Sequence, residues 1–232
     1  MLVLGIESST MQGGVALVGE TGLVAEYTLN VEVTHSERLL PALDRLLTDA
    51  GVGLDALGGL AVSIGPGSFT GLRIGLSTAK GLAYATGLPL VGVPTLEVLA
   101  WSVPYAAVPV CPVLDARKQE VYAALFRYTH GALVPVMQPT ALAPEVLCAR
   151  IRRPTLFLGD GLAEYGDLFR RLLGEKLLVP PPASRGARPG SLADLGRQRL
   201  LRGEQDALDT IVPLYLRPSE AELRLRQRPA VR

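Results

Sequence analysis

The chain has 232 residues and a formal net charge of +1. That is long enough for one large domain or two lobes with a proper core, and it offers no global electrostatic case for binding nucleic acid by charge alone. A content of 48% hydrophobic and 19% charged residues is that of an ordinary soluble globular protein. Its 2 cysteines, Cys111 and Cys148, exclude a disulfide framework and lack zinc-site spacing, so they read as buried, reduced thiols. The 2 histidines, His35 and His130, form no H-x-x-x-H pair, which argues against an autonomous metalloenzyme. No apolar run approaches the roughly 20 residues of a membrane span, and Met1–Ile6 lacks the basic flank and cleavage site of a signal peptide. A cytoplasmic location away from membranes is expected.

Leu2–Ile6 reads as a short buried strand, followed by a hairpin of Gly13–Val18 and Leu23–Leu29. Thr34 and Glu37 have capping-box spacing, and Leu39, Leu40, Leu43, Leu46, Leu47 and Ala50 then recur at helical period up to Gly51. Pro41 falls inside that helix and should bend it. Leu60–Ile64 is the next strand. A glycine-rich turn opens a helix running to about Thr86, and Leu88–Val93 is a return strand.

The second half repeats the order. Strands are expected at Val110–Asp115, Val121–Tyr128 and Leu133–Gln138, a helix near Pro144–Arg150, a strand at Thr155–Leu158 and a helix over Leu162–Leu173. Glu7 and Asp115 each end an opening strand with a carboxylate, and Gly22 and Gly131 fall at nearly matching distances beyond them. The expected fold is therefore α/β, a duplicated mixed sheet flanked by helices in two lobes. The proline-bearing stretch Val103–Pro112 is the expected junction. Residues 1–103 then form the first lobe and 104–205 the second, with 206–232 a C-terminal segment returning to the first lobe and ending in a basic tail. Val179–Gly190 is expected to be a surface loop, and the arginine-rich tail from Arg217 a solvated end.

Chemistry-bearing residues cluster in three places. The turn Gly65, Pro66, Gly67, Ser68, Phe69, Thr70, Gly71 and Arg73 leads from a strand into a helix, exposing backbone N–H groups where an anion or a partner is readily held. It is no Walker A loop, since Leu72 follows Gly71. It is no nucleophile elbow either, since Pro66 and Thr70 replace that motif's glycines. Ser68 is expected to cap the helix. A tight strand-to-helix connection explains the same residues equally well. In the helix that follows, Gly71, Gly75, Ala79 and Ala83 recur every four residues, a small stripe suited either to the chain's own sheet or to a helix of another subunit. Glu7, Ser8, Ser9 and Thr10 form a polar turn or a phosphate-contacting hairpin in which Glu7 faces a metal or a water. Gly159-Asp160-Gly161 is a second turn that would admit a nucleotide base, without the full dinucleotide fingerprint.

The runs SIGPGSFTGLRIG (Ser63–Gly75), GIESST (Gly5–Thr10), HSERLLP (His35–Pro41), DARKQEVY (Asp115–Tyr122) and PLYLR (Pro213–Arg217), spread over nearly the whole chain, resemble the TsaB/YeaZ family. The resemblance implies the two-lobed fold of the actin/Hsp70/sugar-kinase (ASKHA) superfamily. It also implies a role in making threonylcarbamoyladenosine beside the tRNA anticodon, as the non-catalytic partner of a metal-bearing TsaD-like transferase. A TsaE-like ATPase joins that complex, and tRNA meets this chain only through it. The implied interface lies on the first-lobe helices, at His35, Leu39, Leu43, Leu46, Gly71, Gly75, Ala79 and Ala83, and the same helices would form a homodimer in the isolated protein. No tightly bound cofactor is implied, though ATP or ADP has a place at the subunit junction. The first strand ends in Glu7 where this family more often has aspartate. A second reading is an autonomous ATP-binding small-molecule kinase or a glycoprotease-like metallohydrolase of the same superfamily. A third, a stand-alone RNA-binding module, leans on the basic tail alone.

Overall fold

The computed structural model describes residues 1–31 and 35–217. The expected cap Thr34 and the tail Pro218–Arg232 lie outside the described residues, as does the side chain of His35. Each lobe is built on a five-stranded sheet. In the first, β1 (Val3–Glu7) is buried at every position and sits at the centre. It pairs antiparallel with β2 (Gly13–Gly19) and parallel with β4 (Gly59–Gly65), while β3 (Gly22–Leu29) and β5 (Leu90–Pro94) form the edges.

Helices α1 (His35–Ala50) and α2 (Phe69–Thr86) cover one face of this sheet, and α1 runs through Pro41 as a single element. Leu39, Leu43 and Leu46 of α1 and Leu76, Ala79 and Ala83 of α2 share one core with Leu4, Ile6 and Val62 of the strands. Gly87, with a φ of 72°, closes α2 in the left-handed region that a Cβ disfavours.

The second sheet joins β6 (Val110–Asp115), β7 (Val121–Thr129), β8 (Ala132–Leu142), β9 (Thr155–Leu158) and β10 (Leu177–Leu178). Its order, β10-β9-β6-β7-β8, is that of the first sheet: an opening central strand, a hairpin on one side and parallel strands on the other. The duplication expected from the strand order is thus present as topology. Helices α4 (Pro144–Arg150) and α5 (Gly161–Leu173) pack on this sheet around Phe157 and Phe169, whose ring centroids lie 5.3 Å apart. No described helix is long and apolar enough to cross a membrane.

Two helices were not foreseen. The first, α3 (Thr95–Trp101), buries Leu96, Val98, Leu99 and Ala100 on all sides, so it lacks the polar face that gives a helix its period. The second, α6 (Pro189–Leu201), starts inside the expected loop, and its glycines read as breakers. They serve close approach instead: a Cβ on Gly196 would collide with Ala61, and one on Gly5 of β1 would meet Ala193. So α6 lies on the first sheet, opposite α1 and α2, although its residues were placed in the 104–205 segment. Between the lobes α3 and α6 contribute Leu96, Leu99, Leu192 and Leu195 to a continuous core that also takes in Val3 and Val91 of one sheet and Val110 and Phe126 of the other. The lobes are fused there and part on the side where β1, β4, β6 and β9 end.

Candidate functional site

The hairpin after β1 and the turn after β4, separate motifs in the sequence, form one interlocked unit. Ser68 caps α2 as expected, its Oγ accepting from the Gly71 amide at 3.2 Å. Its own amide donates to the Ser9 carbonyl at 2.7 Å, and Ser8 Oγ donates to the Gly71 carbonyl at 2.9 Å. Space decides the sequence here. A Cβ on Gly67 would fall on the Ser9 carbonyl oxygen, and one on Gly75 on Ser8 Oγ, so only glycine lets the helix sit on the hairpin.

This arrangement buries the described residues of the expected interface. Gly71, Gly75, Ala79 and Ala83 are buried and look onto the chain's own sheet. Leu39, Leu43 and Leu46 are core residues under α1. Gly71 also lines the cleft, and the other six cannot meet another molecule without the layer coming apart. The outward faces are different: α1 shows Leu40, Pro41, Asp44 and Arg45, and α2 shows Arg73, Ser77, Gly81 and Tyr84, the last 87% exposed.

The hairpin is likewise turned inward. Glu7 is fully buried, its Oε1 accepting from the Ser9 amide at 2.7 Å and from Ser9 Oγ at 2.5 Å. Glu7 Oε2 has no hydrogen-bond partner, and burial pushes the carboxyl above the ordinary carboxylate range. Glu7 is not among the residues that line the cleft between the lobes. Ser8, Ser9 and Thr10 all spend their hydroxyl protons within the protein, Thr10 on the Gln12 carbonyl at 2.7 Å. Among the described residues no group of three or more His, Cys, Asp or Glu side chains is arranged to hold a metal ion.

The cleft itself is a cavity of about 820 Å³. One wall comes from Ser9, Thr10, Arg38 and Gly67–Gly71, the other from Asp115, Arg117, Tyr122, Asp160 and Glu164. Arg38 donates to the Met11 carbonyl at 2.7 Å and to the Val31 carbonyl at 3.3 Å, tying α1 to the strand ends. Asp160 Oδ1 accepts from the Asp115 amide at 3.1 Å; burial, with the Asp115 charge nearby, holds the Asp160 carboxyl above its usual range. Asp115 is matched by Arg117, whose amide donates to Oδ1 at 2.8 Å and whose guanidinium lies 3.2 Å from Oδ2. In the turn Gly159–Gly161 a Cβ on Gly159 would strike the Val113 carbonyl and one on Gly161 would crowd the same residue, so the small size of both glycines serves packing on β6.

Phe69 and Arg73 of the glycine turn meet a residue that was quoted only within a motif. Tyr215 stacks on Phe69 with centroids 5.3 Å apart, the Arg73 guanidinium lies 4.0 Å from the Phe69 ring centroid, and Arg73 Nε donates to Tyr215 Oη at 3.2 Å. Asp115 and Asp160 stand where the strand-end and turn readings put them, whereas Arg38 and Tyr215 are site residues that the sequence offered only inside the motif runs HSERLLP and PLYLR.

Residues 30–224 match the family model described as TsaD, tRNA N6-adenosine threonylcarbamoyltransferase. A Bacillus subtilis protein named tRNA threonylcarbamoyladenosine biosynthesis protein TsaB is 36% identical over 227 residues, covering 96% of this chain and 96% of the relative. The solved YeaZ of Pseudomonas aeruginosa superposes with a TM-score of 0.75 at 28% identity, over 93% of this chain and 99% of that one. A Thermus thermophilus ROK hexokinase, 11% identical with a TM-score of 0.50 over 88% of this chain and all of its own, shares the fold alone. With two topologically identical lobes and a cleft at the strand ends, the fold is that of the actin, Hsp70 and sugar-kinase superfamily, and the chain belongs to the TsaB/YeaZ family of tRNA threonylcarbamoyladenosine biosynthesis proteins.

Proposed function

We propose that this chain is the non-catalytic partner subunit of a threonylcarbamoyl transfer complex. In this reading it dimerises with and stabilises a metal-bearing TsaD-like transferase that modifies the adenosine beside the tRNA anticodon. The observation that carries the reading is the locked hairpin. The hydroxyls of Ser8, Ser9 and Thr10 and one oxygen of Glu7 are engaged within the protein, which leaves little free to hold a phosphate or activate a nucleophile. The outward face of α2 supplies the partner surface instead: Ser77 and Gly81 leave room for a close approach, and Tyr84 gives it an aromatic anchor. A TsaE-like ATPase joins the assembly, tRNA reaches this chain through it, and any ATP or ADP sits at the subunit junction. The isolated chain pairs with itself through the same face, in the cytoplasm.

The test is light scattering after size exclusion, on the chain alone and mixed with the TsaD-like protein of the same cell, using wild type and Gly81→Arg. A wild-type homodimer that converts to a mixed complex, with both species lost in Gly81→Arg, supports the reading. No complex with the wild type, with or without ATP, overturns it. The cleft of about 820 Å³ keeps the autonomous kinase as a second reading, favoured if the isolated chain turns over ATP.

A further inference from the structure

Beyond α6 the chain crosses the first sheet and reaches the other lobe. Asp206 starts the crossing, its amide donating to the Leu90 carbonyl and its Oδ2 accepting from the Gly92 amide, both at 2.8 Å. Ile211 is buried beside Gly92, and the Leu214 amide donates to the Ile64 carbonyl at 2.6 Å. Tyr215 follows with its stack on Phe69 and its bond from Arg73. Two residues later Arg217 Nη1 stands 3.3 Å from Glu120 Oε2, in the turn between β6 and β7. Residues 206–217 are therefore anchored on the first lobe by backbone bonds and an aromatic stack, and end on the second through one ion pair.

The place of that ion pair matters. The packed core around α3 and α6 joins the lobes on their fused side. Arg217 meets Glu120 on the open side, close enough to the cleft-wall residue Tyr122 for its charge to act on the phenol. Among the described residues the lobes thus meet both through this packed core and, well apart from it, through a partly exposed ion pair with side chains 22% and 38% exposed. Exposed pairs of this kind are weak and screened by salt, so the second attachment releases long before the first. The turn that presents Glu120 is itself under tension. Arg117, Lys118 and Gln119 have φ values of 61°, 52° and 62°, a run of left-handed non-glycine residues that persists only where its surroundings impose it.

We propose that residues 206–217 are a latch that sets the opening between the two lobes, with the Arg217–Glu120 ion pair as its releasable catch. Because Tyr215 sits on Phe69 at the start of α2, release of the catch is felt at the N-terminal end of that helix and at the cleft mouth together. The latch rests on contacts within this chain and stands whether or not the partner reading does.

Hydrogen exchange followed by mass spectrometry on the full chain tests it, in wild type, Arg217→Gln, Glu120→Gln and the swapped pair Glu120→Arg/Arg217→Glu. Both side chains are partly exposed, so the variants keep the wild-type far-ultraviolet spectrum. Each single variant is expected to raise exchange about threefold to fivefold in peptides over residues 116–122 and over 211–217, leave α3 unchanged, and lose the excess in the swap. Faster exchange confined to 211–217, with the 116–122 turn at the wild-type rate in Arg217→Gln, overturns the latch. So does a swapped pair that behaves like the single variants.

Discussion

The Ser68 amide donates to the Ser9 carbonyl at 2.7 Å, which bolts the start of α2 to the hairpin after β1. Around that bond, Gly67 lies on Ser9 and Gly75 on Ser8, while Gly81 faces open space on the other side of the same helix. Three glycines of one segment therefore answer to different pressures, and alanine separates them. At Gly67 or Gly75 the added methyl must push into the hairpin and costs about 1–3 kcal/mol, the usual penalty for overpacking. At Gly81 it meets nothing and gains up to about 1 kcal/mol from helix propensity. Urea unfolding of the three variants checks the order, and a Gly75→Ala protein as stable as Gly81→Ala would overthrow the interlock.

The same contrast decides where a partner docks. Gly75→Leu buries its side chain against Ser8 and Ile6, so its first effect is on folding and it cannot report on an interface. Gly81→Arg and Tyr84→Ala change only the outer face. Both are expected to keep the wild-type melting temperature within a few degrees and to weaken association by tenfold or more, about 1.4 kcal/mol. Sedimentation of each variant with and without the TsaD-like protein measures this. Unchanged association in both would move the docking surface off α2.

Glu7 makes a pH prediction with a definite sign. Its carboxyl is buried, one oxygen lacks a partner, and burial raises its folded-state pKa above the ordinary value of a glutamate. A carboxyl raised on folding contributes stability that is complete below its unfolded pKa and is lost as pH rises through the folded one. The wild type should therefore lose stability relative to Glu7→Gln as pH climbs from about 4.5 toward neutrality. Glutamine keeps the shape without the charge. Denaturant melts of both proteins across that range give the difference directly, and a flat difference would mean that Glu7 ionises as freely folded as unfolded.

Much of the fold was legible because its elements carry local signals. The hairpins announce themselves by turn glycines, α1 by period, α2 by its serine cap, and the repeated order of strands gave the duplication. What escaped detection was set by tertiary contact. The buried helix α3 has no polar face, and α6 contains Gly196, which looks like a breaker until Ala61 is placed beneath it. The interface was expected at positions of α1 and α2 that the structure buries. A stripe of Gly71, Gly75, Ala79 and Ala83 says that something comes close, and the sequence holds no mark of whether that is the chain's own hairpin or another protein. The pairing of Glu120 with Arg217 joins two motifs far apart in the chain, which no local pattern can register.

Nucleotide binding offers the sharpest separation of subunit from kinase. A phosphate held at the β1–β2 hairpin needs free donors, and the Ser8, Ser9 and Thr10 hydroxyls donate to Gly71, Glu7 and Gln12 instead. The Asp160 and Glu164 carboxyls on the opposite wall do not favour an anion. ATP with magnesium at millimolar concentration should therefore leave the melting temperature of the isolated chain unchanged. Binding at a dissociation constant of 10 μM would stabilise it by about 2.7 kcal/mol at 1 mM, a shift of several degrees. Thermal unfolding with ATP, ADP and no nucleotide distinguishes the cases. A shift of that size, abolished by Thr10→Val, would restore the cleft as a nucleotide site and the chain as an enzyme in its own right.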